Sequence, residues 1–114
     1  MENVQQFEEL LFFAKVKKMP GAWFEKPSLL SLRDQLFGMR YAFDLCGQKD
    51  ALKYSFSFIK WYEAGQVWSE HSFACWWNHM LYISGNDDRQ AFVTFFRYFE
   101  QYLKECHGLV LPKV

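Results

Sequence analysis

The stretch from Met19 to Phe43 puts the tightest limit on what this chain can fold into, because it sets a turn directly before a helix. Pro20-Gly21 is a strong breaker pair. Pro27 removes a backbone donor and restricts Lys26, and Ser28 offers a hydroxyl to the first free amides that follow. A helix is therefore expected to start near Ser28. From there Leu29, Leu32, Leu36, Met39 and Phe43 recur at spacings of three and four, which stacks them on one face of a 3.6-residue helix. The rest of the chain is expected to be arranged around that face. Gly38 lies inside the pattern, where it costs about 1 kcal/mol against Ala, so it reads as a notch for a neighbouring backbone.

Four more helices are expected on the same kind of evidence. The first begins after Asn3, with Gln6 as a capping-box partner, carries Phe7, Leu10, Leu11, Ala14 and Lys18 on or beside one stripe, and ends before Pro20. The second closes near Cys46 at Gly47. A third, capped by Asp50, turns Leu52, Phe56, Ile59 and either Tyr62 or Glu63 inward and stops at Gly65. A fourth, capped by Ser69, places Phe73, Trp76 or Trp77, Met80 and Ile83 inward and ends at Ser84-Gly85. The fifth opens at Asn86 or Asp87 and bears the strongest stripe, Phe92, Phe95, Phe96, Phe99, Tyr102, Leu103 and Cys106, up to Gly108. Leu109 or Leu111 is expected to dock back on the bundle. Aromatic residues also favour strands over Tyr54 to Tyr62 and Phe92 to Phe99, but both patterns run over at least three turns between cap and stop residues. The fold class expected is all-α, a single-domain bundle of about five helices spanning residues 1 to 114.

Composition narrows the function classes. With 114 residues and thirteen Phe among an aromatic share of 21%, the chain has enough to fill one ring-packed core. Formal net charge is zero, so no global field draws nucleic acid or an anionic membrane. Cys46, Cys75 and Cys106 are odd in number and far apart, unlike a disulfide framework, and are expected to be reduced. The acidic, polar N-terminus lacks the pattern of a signal peptide, and no apolar stretch approaches the ~18 residues of a membrane span. A cytoplasmic location is the expectation.

Candidate chemistry is sparse. His71, Cys75 and His79 fall at spacings of four on one side of the proposed fourth helix, which suggests a soft metal or a Cys75-His79 nucleophile and base. Zinc wants a fourth protein ligand or water in good geometry, and neither a further ligand, an orienting carboxylate nor an oxyanion donor is evident; packing is the preferred role. Glu8-Glu9 and Asp87-Asp88 stand near helix starts and read as dipole partners. Lys15, Lys17 and Lys18 beside Trp23 and Phe24 would form a basic aromatic surface for nucleic acid, but the neutral net charge and the dipole at a helix C-terminus explain them more simply. No catalytic residue and no cofactor is assigned. Trp61, Tyr62, Trp68, Trp76 and Trp77 cluster in the third quarter, and adjacent Trp residues on a helix cannot both face one core. Trp61, Tyr62, Glu63, Trp68, Glu70 and Trp77 are therefore the candidate protein-docking residues, against the alternative of rings lying flat on a small bundle.

Lys17-Lys18-Met19-Pro20-Gly21-Ala22-Trp23-Phe24, then Lys26-Pro27-Ser28-Leu29-Leu30-Ser31-Leu32 and Phe37-Gly38-Met39-Arg40-Tyr41, resembles the opening of small helical immunity proteins of bacterial contact-dependent growth inhibition and polymorphic-toxin systems. Met19 stands where that pattern has Arg, Ala22-Trp23 where it has Met-Tyr, and Gly38 and Tyr41 are not adjacent. Phe58 to Trp61, Trp68-Ser69 and Ala91 to Leu103 are similar in order and character to the later segments. The resemblance implies a cytosolic antidote that binds the C-terminal domain of a cognate toxin, commonly a nuclease, and blocks it stoichiometrically, without enzymatic activity and without contacting nucleic acid or membrane itself. It carries over no contact residue. The alternatives are a small enzyme or metal protein built on His71, Cys75 and His79, and a regulatory adaptor for another protein.

Overall fold

The computed structural model describes residues 4–48, 50–65 and 75–114, with side chains given from residue 8 onward. Its elements are α1 (Val4–Lys18), a 3₁₀ turn over Pro20–Ala22, α2 (Leu29–Leu45), α3 (Lys53–Gly65), α4 (Trp76–Ile83) and α5 (Asp88–Tyr102), which runs on into a π-helical turn over Leu103–His107. The protein is all-α, and its described residues form one bundle of five helices.

α5 is the element the bundle is built on, which corrects the expectation that the Met19 to Phe43 stretch plays that part. Asp87 caps it, its Oδ1 accepting from Arg89 N at 2.9 Å and Gln90 N at 3.2 Å. Phe92, Phe95, Phe96, Phe99, Tyr102 and Leu103 are all buried, as their spacing requires. Rings from three other helices converge on them. Phe13 of α1 lies 4.8 Å from Phe99, Phe58 of α3 5.4 Å from Phe95 and 5.3 Å from Phe99, and Trp76 of α4 5.9 Å from Phe95. Tilted and edge-on pairs of this kind add about 0.5–1.5 kcal/mol each to the area they bury. Cys106, expected on the same stripe, is exposed, because the π-helical turn changes the rotation per residue just before it. Gly108 closes the turn at φ 64°, and Leu109 and Leu111 fold back onto the core.

The second helix starts as its sequence dictates. Ser28 Oγ accepts from Ser31 N at 3.0 Å, and Leu29, Leu32 and Leu36 are buried. Asp88 stands in the first turn of α5, where it is expected to serve the dipole, and also reaches across to α2: its Oδ1 accepts from Leu30 N at 3.0 Å and its Oδ2 from Ser28 Oγ at 2.5 Å. Glu9 repeats the device on α3. Although it sits on α1, its Oε1 accepts from Tyr54 N at 3.0 Å and its Oε2 from Ser55 N at 2.7 Å, so a buried carboxylate satisfies the first free amides of another helix. Asp50, the expected cap, is exposed, and its carbonyl accepts from Lys53 N at 3.3 Å.

That docking fixes the rotation of α3. Tyr54, Ser55, Phe58 and Tyr62 point inward; Leu52 and Tyr62 are buried as expected, with Glu63, the alternative to Tyr62, exposed, whereas Phe56 and Ile59 are only half-buried, which corrects that part of the expected face. On α4, Trp76 and Met80 are buried as expected, but His79 takes the third inward place and Ile83 faces out. The end of α4 is tied to α5 by the Ser84 and Thr94 hydroxyls, 2.8 Å apart. Ser69, Phe73 and the Asn3 cap lie outside the described residues. Gly38 is no packing notch: nothing lies within 4 Å of the Cβ it lacks.

Candidate protein-docking surface

The apolar stripe of α2 outlasts the core beneath it. Beyond Leu36, Met39 and Phe43 are half-buried, and Phe37, Tyr41 and Leu45 are 44%, 69% and 72% exposed. These last three follow at i, i+4 and i+8, a second stripe on the outer side of the helix. Arg33 and Phe37, one turn apart, frame Trp77 of α4. The Arg33 guanidinium sits 4.9 Å from the Trp77 ring centre, and the Phe37 ring meets it edge-on at 5.7 Å. Asp34 holds Arg33 in place through a 2.8 Å ion pair. The result is a platform of Arg, Trp, Phe and Tyr with an apolar margin at Leu45, the residue types that anchor protein interfaces.

The other side of the same half-helix borders a groove of about 660 Å³, with Arg40, Phe43 and Asp44 facing Phe56, Ile59, Lys60 and Glu63 of α3. Arg40 lies over the Phe56 ring at 4.3 Å. Acids and bases alternate on its rim above an apolar floor, so it has no single sign of charge.

The residues singled out from sequence scatter. Trp61 is half-buried between Phe58 at 6.0 Å and Tyr102 at 5.5 Å. Tyr62 is fully buried, which removes it from any surface, and burial together with nearby Tyr98 pushes its hydroxyl above the ordinary range. Glu63 stands on the groove rim. Trp77 joins the platform; Trp68 and Glu70 lie outside the described residues. One ring of the Trp76-Trp77 pair is thus buried and the other reaches the rim.

Two members of the proposed metal or catalytic face, Cys75 and His79, lie among the described residues. Cys75 precedes α4 in extended backbone, half-buried, rather than lying on the helix, and His71 is outside the described residues. His79 Nδ1 and the Tyr62 hydroxyl share a buried hydrogen bond of 2.5 Å. Among the described residues no three His, Cys, Asp or Glu side chains converge on a point. No described helix is long and apolar enough to cross a membrane.

The sequence places Glu9 as a dipole partner of its own helix. Burial, opposed by the Ser55 and Tyr54 donors, raises its carboxyl to about 7. A cap that belongs to a different helix leaves no local signal. Phe37, Tyr41 and Leu45 did leave one: with Leu36, Met39, Ala42 and Phe43 they make the second half of α2 apolar on most sides, the mark of a helix covered all round. No family model, no curated protein and no solved structure matches this chain at a significant level.

Proposed function

We propose that this protein is a cytoplasmic immunity protein: it binds one cognate toxin domain, a nuclease by the chemistry commonest in such systems, and neutralises it stoichiometrically without catalysis. The resemblance of the Lys17 to Tyr41 stretch supplies the role. The outer half of α2 with Trp77 is the single observation that supports the mode, since it exposes anchors of the interface type on one rigid helix. A helix carrying Phe37, Tyr41 and Leu45 needs little ordering on binding, which keeps the entropic cost of association down. Zero net charge gives no long-range steering, so affinity rests on slow dissociation of buried rings rather than on fast encounter.

Co-expression with the toxin encoded beside it tests this reading. The wild-type chain is expected to restore growth, and the double variant Phe37→Ala, Tyr41→Ala to lose protection while staying folded. Failure of the wild-type chain to protect rejects the immunity role; full protection by the double variant moves the interface elsewhere.

A further inference from the structure

Arg40 and Asp44 lie one turn apart on the edge of α2 that borders the α3 groove. Both are exposed, and neither forms an ion pair among the described residues. Tyr41 and Leu45 follow them directly in the chain, a rotation of about 100° around the helix, so the charged edge and the exposed apolar stripe run side by side. Across the groove the balance repeats, with Lys53 and Lys60 against Asp50 and Glu63, all exposed. Three cations and three acids thus line one groove, and among the described residues no ion pair joins any two of them.

An edge with this charge order is its own complement. When two copies of α2 lie antiparallel about a two-fold axis that passes between Arg40 and Asp44, Arg40 of each copy faces Asp44 of the other, and both contacts form at once. The same rotation sets Tyr41 beside Tyr41, and Leu45 near Phe37 of the other copy. Parallel helices in register would instead set Arg40 on Arg40 and Asp44 on Asp44, so the charges select the antiparallel arrangement. Zero net charge leaves the pair no overall repulsion to overcome.

We propose that this protein pairs with a second copy of itself through the outer half of α2, antiparallel, with Arg40 of each copy bonded to Asp44 of the other and Phe37, Tyr41 and Leu45 packed between them. The apolar side chains supply the burial. The flanking ion pairs supply the register, because exposed pairs add little affinity of their own. The pairing is weak and reversible, and it covers the apolar stripe that the free chain leaves open. It goes beyond the toxin reading and is measured with no toxin present, so either can fail without the other.

Sedimentation velocity of the full chain over a concentration series is the test, with unfolding curves on the same samples. Wild type is expected to pass from monomer to dimer as concentration rises. Arg40→Asp sets acid against acid and Asp44→Arg base against base, and each single change should weaken the dimer about tenfold. The double variant Arg40→Asp, Asp44→Arg reverses the order yet remains self-complementary, and should dimerise within about threefold of wild type. Both positions are exposed, so the variants are expected to fold, and Asp44→Arg leaves in place the Arg40 contact over Phe56 at 4.3 Å. A wild-type chain that stays monomeric throughout, single variants that dimerise like wild type, a double variant as weak as the singles, or assembly beyond a dimer would each overturn the proposal.

Discussion

α5 and the outer half of α2 are written in the same alphabet, large apolar residues at helical spacing, and meet opposite fates. Every ring of the α5 stripe from Phe92 to Tyr102 is buried, met by Phe13, Phe58 and Trp76 from three directions. On α2 the burial stops after Leu36, and among the described residues the ring contact of this outer stripe is that of Phe37 with Trp77. Periodicity tells which side of a helix is apolar. It does not tell whether the same chain supplies the surface to cover it, and where it does not, the uncovered stripe is available to a partner.

The contrast predicts that equal truncations cost very unequal amounts. Phe99→Ala or Phe95→Ala should destabilise the fold by about 3 to 5 kcal/mol, since each opens a cavity between α1, α3 and α5, with α4 also reaching Phe95. Chemical denaturation measures it; a loss under about 1 kcal/mol would mean α5 is not the hub.

Next in size is the proton linkage of Glu9, which orients α3 so that Phe58 can reach α5. Its carboxyl is raised by burial from 4.5 to about 7, so the folded state binds the proton more tightly than the unfolded one. That contribution is complete below pH 4.5 and is lost as pH rises through about 7, up to about 3 kcal/mol in all. Glu9→Gln, which mimics the protonated form, should flatten the fall in stability over that interval. Parallel pH profiles for wild type and variant would show that the two backbone donors outweigh burial and keep Glu9 ionised.

Gly38→Ala lies on the α2 side of the comparison and should stabilise by about 0.5 to 1 kcal/mol, because the helix gains propensity and the new methyl meets no atom within 4 Å. A loss of stability would restore the notch that the sequence suggested. The smallest effect on folding belongs to Tyr41→Ala, expected within about 0.5 kcal/mol of wild type, as for other exposed positions.

Much of this architecture was legible in the chain. Pro27-Ser28, Gly47, Ser84-Gly85, Asp87 and Gly108 punctuate five of the helix ends or starts because turn chemistry is local. The face of α3 was not legible, since Phe56 and Ile59 fit a helical stripe as well as Tyr54, Phe58 and Tyr62 do, and the choice is made by Glu9, forty-five residues from Tyr54. Asp88 is the same case at α2. The docking surface was read in part: Trp77 belongs to it, Tyr62 is buried beneath the bundle surface, and the α2 anchors were hidden by assigning the whole helix to one core face.

The central claim is that the uncovered stripe of α2 is a binding surface and not a loosely packed part of the core. Binding kinetics of wild type, Phe37→Ala, Tyr41→Ala and Trp77→Ala with the toxin domain proposed as the partner test it most directly, with unfolding curves recorded on the same samples. The account predicts at least tenfold faster dissociation for Tyr41→Ala and Trp77→Ala, association rates within about threefold of wild type, and for Tyr41→Ala an unchanged unfolding midpoint. Wild-type dissociation rates in all three variants, or weakened binding only in samples that have lost stability, would contradict it.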